Sequence, residues 1–319
     1  LLGLLTVLLV LSGSGCVYQR LAERADLARH PPPGRWVDAG GHRLQLYCIG
    51  EGWPTIMLEA GLGNGITHWA ALQPRLAEHT RVCAYDRAGL GWSEAGTLPR
   101  DADRIAREFA ALVEASGEPG PFVLVGHSNG GLYTRLFAYR HSQALAGLVL
   151  LDPNHEDGPQ CELPALSRWT FGPLVQTANL GLPRLLLPVL FPLDSSPLPS
   201  EAREAFAALR ARRDALRSVW SELGQTCASY ATLMAERRPL GELPLIVISA
   251  GSRSPEAGNF VALHAQLAQA STRGEHRVAE GVGHFLQLEA PALVAEAVLH
   301  VVAAVRADTA GQAQTTAPG

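Results

Sequence analysis

The 319-residue sequence contains no lysine, so all 26 basic side chains are arginine. That absence excludes several chemistries together: a P-loop needs a Lys on its phosphates, and a protein kinase, a pyridoxal Schiff base and a Ser-Lys dyad each need one of their own. A serine activated in this chain must therefore take its base from histidine. Cys-x-x-Cys and His-Glu-x-x-His spacings are also missing, and neither a metal nor a cofactor is implied. No run of like charge occurs and the formal net charge is −4, which gives no basic field for a polyanion and argues against a nucleic-acid partner.

What is present is apolar. At 47% hydrophobic the chain can bury one large core. Leu1 to Leu11 are almost wholly apolar and run into Ser12-Gly13-Ser14-Gly15-Cys16, with Arg20 and Arg24 beyond. The run is short for a membrane span, and the sequence does not begin with Met, so a longer apolar segment can precede it. Residues 1–17 are read as an export signal or membrane anchor, residues 18–34 as a linker, and the protein as exported or membrane-anchored, extracytoplasmic, associating with the membrane through its N-terminus. Five cysteines cannot all pair within one chain. Cys161 and Cys227 flank one segment and could staple it in an oxidising compartment, whereas Cys48 and Cys83 sit in apolar strand-like runs and read as buried thiols.

Strand-like runs at 43–49, 55–60, 80–85, 121–125, 146–151 and 243–250 alternate with helix-like ones such as 101–116, where Ile105, Phe109, Leu112 and Val113 recur at helical spacing. Several of the strands are apolar throughout, which fits a sheet covered on both faces, and the alternation implies an α/β fold with a mostly parallel sheet. It breaks over residues 154–240, rich in Leu, Pro and Arg, which read as a helical cap inserted in a domain spanning 35–307. It resumes with a strand at 275–280 and a last helix carrying Val294, Val298, Val301, Val302 and Val305. Residues 308–319 have almost nothing apolar to bury and read as a disordered tail.

The chemistry concentrates at Gly126-His127-Ser128-Asn129-Gly130, a Gly-x-Ser-x-Gly sequence between a buried strand and a helix. A strand turning sharply into a helix needs small residues around the central one, which then projects beside the helix N-terminus. Ser128 is the candidate nucleophile. A serine hydroxyl needs a base, and His284, on the Gly-rich loop 281–285 just before the terminal helix, is the candidate. His127 reads as supporting structure. For the acid that orients the base, Asp152 follows the strand ending at 151, and Glu256 follows the next strand; both stay open. The backbone N–H groups of Asn129 and of Leu62, in Gly61-Leu62-Gly63, are the candidate oxyanion donors. The segment Asp86-Arg87-Ala88-Gly89-Leu90-Gly91 has no lysine after it and reads as a turn.

With Gly61-Leu62-Gly63, Asp86-Arg87-x-Gly89-x-Gly91, Gly126-His127-Ser128-Asn129-Gly130-Gly131, Asp152 and Gly283-His284 in this order, residues 36–306 resemble the α/β-hydrolase superfamily. The resemblance implies an eight-stranded, mainly parallel sheet flanked by helices, a helical cap after strand six and a Ser-acid-His triad in that chain order. Two departures stand out: Ala60-Gly61 replaces the usual His-Gly before the oxyanion loop, and no Asp follows strand seven. An acid at the end of strand six resembles some haloalkane dehalogenases, but those carry an Asp nucleophile, and Ser128 points to acyl transfer instead. The expected activity is hydrolysis of a small apolar carboxylic ester, with an aminopeptidase or amidase using the same triad as the alternative. A non-catalytic binding module at the membrane is the alternative from another class; it would have no reason to retain the triad.

Overall fold

The computed structural model describes residues 2–158, 165–251 and 258–315. The chain opens with one helix, α1 (Leu2–Arg29), and enters the sheet through β1 (Arg35–Asp38), β2 (Arg43–Ile49) and β3 (Ile56–Glu59). Helix α2 (Gln73–Ala77) and strand β4 (Val82–Tyr85) follow, then α3 (Ala102–Ser116), β5 (Phe122–His127), α4 (Gly130–Arg140) and β6 (Leu145–Leu151). Five helices come next: α5 (Ala165–Gln176), α6 (Leu182–Leu190), α7 (Ser200–Leu209), α8 (Arg213–Gly224) and α9 (Thr226–Glu236). The chain closes with β7 (Leu245–Ala250), α10 (Gly258–Ala268), β8 (Gly274–Ala279), α11 (Leu286–Glu289) and α12 (Pro291–Thr315). The eight strands form one sheet in the order β1-β2-β4-β3-β5-β6-β7-β8, antiparallel at β1-β2 and β2-β4 and parallel elsewhere.

The central strands are apolar throughout because the sheet is covered twice. Val123 and Val125 of β5, with Val149 and Leu151 of β6, face the layer holding Val294, Val298, Val301, Val302 and Val305 of α12. Their neighbours Phe122, Leu124, Leu148 and Leu150 point the other way, onto Phe109 and Leu112 of α3, Phe137 of α4 and Leu267 of α10. This is the period-two alternation of a strand buried on both faces. Helix α3 starts where Asp101 accepts the Arg104 N–H and ends at Gly117 in the left-handed region, φ 67°.

Helices α5–α9 form the cap, inserted between β6 and β7 and lying over the carboxyl ends of the strands. Polar contacts hold it down: Ser229 Oγ accepts the Ala102 N–H (3.0 Å), Ser221 Oγ accepts the Arg100 N–H (2.9 Å) and Arg140 pairs with Glu236 (2.5 Å).

Three expectations are corrected. Helix α1 runs unbroken through Ser12 to Cys16 as far as Arg29, so the segment read as a linker is largely helical. Gln19 donates to Ala211 O (3.0 Å), Glu23 accepts the Arg213 N–H (2.7 Å) and Asp26 pairs with Arg184, which ties the second half of α1 to the cap. No helix among the described residues is long and apolar enough to cross a membrane. Cys48 and Cys83 are not thiols but a disulfide. Antiparallel pairing of β2 with β4 sets the two residues directly opposite, 4.0 Å apart at Cα, a register that their separation of 35 in sequence does not reveal. Cys227 is also disulfide-bonded, Cys16 is free, and Cys161 lies outside the described residues. Lastly, α12 carries the segment read as a disordered tail on as helix through Thr315.

Candidate active site

At the end of β5 the backbone turns sharply into α4, and Ser128 sits at the turn with φ 53°, a strained value for a residue with a side chain. Its N–H donates to Leu151 O (3.0 Å), and its carbonyl accepts from Gly131 (2.9 Å) and Asn154 (3.1 Å), which holds the strain in place. The flanking glycines are there for space. A Cβ on Gly126 would meet Thr134 Oγ1 at 2.5 Å and Gly130 O at 2.8 Å, and one on Gly130 would collide with the carbonyls of Glu59 and Ala60.

One strand over, β6 ends and Asp152 follows, fully buried and also at positive φ, 42°. Its Oδ1 accepts the Ala250 N–H (3.1 Å) from the end of β7, which leaves Oδ2 to accept from His284 Nδ1 at 2.6 Å. The structure thus joins His284 to Asp152, while Glu256 lies outside the described residues. Because Nδ1 is the donor, Nε2 carries the lone pair, the arrangement a general base needs.

His127 does support this loop. Its Nε2–H donates to the carbonyl of His284 (2.8 Å), and the two rings lie 4.7 Å apart. Burial pushes the pKa of His127 down to about 3, so the imidazole stays neutral and keeps that bond. His68 is likewise held at about 3 by burial, its ring 6.1 Å from Phe285 and 4.5 Å from Phe206 of the cap.

The loop after β3 brings Gly61 against this centre: a Cβ there would stand 3.2 Å from Ser128 Cβ and 3.0 Å from His127 Nδ1. Among the described residues, the backbone N–H groups of Leu62 and Asn129 have no acceptor within the protein. Two N–H groups left unpaired beside a candidate nucleophile are what a developing oxyanion requires.

The turn read at 86–91 supports that loop. Asp86 accepts the N–H groups of Ile66 (2.8 Å) and Trp92 (3.0 Å), and burial lifts its pKa to about 6. Arg87 is fully buried and uses all five of its donors: on Glu59 (2.6 Å), on Ala60 O (2.6 Å), on Gly61 O (2.8 Å) and twice on Glu222 of α8 (2.9 and 3.0 Å). Burial raises the pKa of Glu59 to about 7 against the pull of Arg87 and Tyr85. No local pattern announces this cluster, because Glu222 stands 135 positions from Arg87. Equally unforeseen is His264 behind Asp152, which donates Nε2–H to Pro153 O (2.7 Å) and accepts from Ser249 Oγ (2.8 Å).

A strained turn carrying a hydroxyl, a buried carboxylate on the next strand and a histidine loop above both define the class of folds whose active sites sit at the carboxyl edge of a parallel sheet. A model of the alpha/beta hydrolase family matches residues 56–297, and the chain belongs to that family. A 2-hydroxymuconate semialdehyde hydrolase from Pseudomonas sp. (strain CF600) is 36% identical over 127 residues, 38% of this chain and 44% of that protein. The chain spans less than half the length of the curated relatives it matches. Among solved structures, the epoxide hydrolase VrEH1 from Vigna radiata is 16% identical, with a TM-score of 0.66 over 83% of this chain and 96% of that one. An esterase from Thermogutta terrifontis is 20% identical, with a TM-score of 0.64 over 85% and 98%. At these identities the likeness is one of fold.

Proposed function

We propose that the protein is a serine hydrolase that cleaves the carboxylic ester of a small apolar substrate through an acyl-enzyme on Ser128. The observation that carries the reading is the 2.6 Å bond from His284 Nδ1 to buried Asp152, made beside a serine held at φ 53°. In this mechanism His284 Nε2 takes the Ser128 proton as Oγ attacks the carbonyl carbon. The N–H groups of Leu62 and Asn129 hold the oxyanion, and Asp152 stabilises the imidazolium. His284 then gives its proton to the leaving alkoxide, and water releases the acyl group by the same steps. A hydroxyl rather than a carboxylate at the turn favours attack on a carbonyl, whose charge those two donors can hold.

The substrate class rests on the cavity beside the oxyanion loop. It encloses about 270 Å³ between Leu62 to Asn64 and the cap, lined by Val175, Leu187, Phe206, Leu216, Val219 and Trp220 among others. Such walls favour an apolar acyl or alcohol group. Along a series of p-nitrophenyl esters from acetate to octanoate, each methylene buried contributes about 0.8 kcal/mol, so kcat/KM should rise roughly fourfold per added carbon until the cavity is full. A flat series would contradict an apolar pocket.

We also propose that the N-terminus associates with a membrane surface on the extracytoplasmic side. Residues 1–19 carry no charge. Leu9, Val10 and Leu11 are more than half exposed, as are Leu185 and Val189 of α6. Gly15 packs on Leu180, two residues before α6 begins. Apolar faces of this kind lie in a bilayer interface without crossing it. The protein should sediment with phosphatidylcholine vesicles, and Leu9→Asp with Leu11→Asp should weaken that binding at least tenfold; unchanged sedimentation of the double variant would count against the N-terminal contact.

A further inference from the structure

We propose that the cap controls the oxyanion hole, with Glu222 of α8 and Arg87 acting as positioning residues that aim the Leu62 N–H; the inference rests on the acyl-transfer reading. In a trans peptide the C=O and the following N–H point to opposite sides. The peptide joining Gly61 to Leu62 is not among the cis bonds of the chain, and its carbonyl is held by Arg87 Nη2 at 2.8 Å and by the Asn64 N–H at 3.1 Å. Fixing that oxygen against Arg87 turns the Leu62 N–H away from the guanidinium. The same guanidinium holds Ala60 O, so both carbonyls leading into the loop are fixed by one cation.

What fixes the cation is in large part the cap. Glu222 grips Arg87 with both carboxylate oxygens, at 2.9 and 3.0 Å, a fork that sets the plane of the guanidinium as well as its position. The Tyr133 ring lies against the guanidinium, its centroid 5.1 Å from Cζ. Glu222 is fully buried, as is Glu59, the remaining partner of Arg87. Helix α8 also touches the loop directly, since a Cβ on Gly63 would stand 3.1 Å from Val219. The cap therefore cannot lift as a body without parting Glu222 from Arg87. With that fork gone, Arg87 keeps one carboxylate and the two loop carbonyls, all on its Nη1 and Nη2, while its Nε edge is no longer held, which lets the guanidinium tilt and takes Gly61 O and the Leu62 N–H out of line. Catalytic competence is thereby tied to a seated cap.

The test compares Glu222→Gln with Glu236→Gln, which loosens the cap at its partly buried contact with Arg140, a pair that makes no bond to Arg87. Active sites are counted by fluorophosphonate labelling of Ser128, and kcat and KM are measured per labelled site with p-nitrophenyl butyrate. Affinity for a boronic acid, which forms a tetrahedral adduct on the serine, is measured alongside. Losing an oxyanion donor outright costs about a hundredfold or more, so misaligning one should lower kcat about ten- to a hundredfold. For Glu222→Gln, kcat and boronate affinity should fall together by such a factor with KM within about twofold, while Glu236→Gln keeps the wild-type kcat. Glu222→Asp keeps the charge but cannot reach both donors, and it carries the same test should the amide fail to fold. An unchanged kcat per labelled site, or a loss confined to KM, would overturn the coupling while leaving the acyl-transfer reading intact. A wild-type protein unlabelled at Ser128 would overturn both.

Discussion

Ser128→Ala is expected to lower kcat on an ester by about 10⁴-fold or more while leaving the fold intact. The hydroxyl is the only part of the site that forms the new bond, and the site around it is held by backbone contacts that alanine retains. Ser128 N–H still reaches Leu151 O, and its carbonyl still accepts from Gly131 and Asn154. The variant should melt near the wild-type temperature, because the positive φ is imposed by those bonds and by the close approach of Gly126 to Gly130. A residual rate above water is expected, since the Leu62 and Asn129 donors can still polarise a bound ester. Activity within about tenfold of wild type would place the nucleophile elsewhere.

Asp152→Asn carries the second large effect, about 10³- to 10⁴-fold in kcat, and its cause is a tautomer rather than a lost contact. Among the described residues, Asp152 Oδ1 accepts from Ala250 N–H and Oδ2 from His284 Nδ1–H. An asparagine has one carbonyl oxygen. If that oxygen serves the Ala250 N–H, its NH₂ faces His284, and the ring must present a lone pair at Nδ1. The proton then sits on Nε2, directed at Ser128, where no base remains. Steady-state rates and melting temperature together check this: kcat collapses and the fold persists. A loss under about tenfold would remove Asp152 as the acid and move the test to Glu256→Gln.

The parts of this site that were legible in the sequence are those fixed by neighbours along the chain. Gly126 to Gly131 announce a strand-to-helix turn because the glycines needed for close approach are adjacent to the serine. Asp152 is legible because it directly follows a strand of the sheet, and His284 because it sits on the Gly-rich loop between the last strand and the terminal helices, where loops reach the carboxyl edge. The cap was legible as a break in alternation. What stayed hidden depends on register and docking. The Cys48–Cys83 disulfide follows from how β2 pairs with β4, and the two runs around the cysteines carry no residue that marks them as opposite. The four-residue edge strand β1 is too short and too exposed to show a pattern. Arg87 looked like part of a turn because its partners come from the end of β3, the oxyanion loop and a cap helix. Only a folded chain brings Glu59, Gly61 and Glu222 to one guanidinium. The continuity of α1 through Gly13 and Gly15 was hidden for a similar reason, since glycine weakens an isolated helix, whereas here contacts of Gln19, Glu23 and Asp26 with the cap hold its second half.

Everything proposed for this site depends on Ser128 being an activated nucleophile. The most direct measurement treats the folded protein with a fluorophosphonate probe and locates the adduct by mass spectrometry, with Ser128→Ala as the control. One adduct per chain is expected, on Ser128 and absent from the control, together with ester hydrolysis blocked in proportion to labelling. Folded protein that takes up no probe, or takes it up equally after Ser128→Ala, would contradict it.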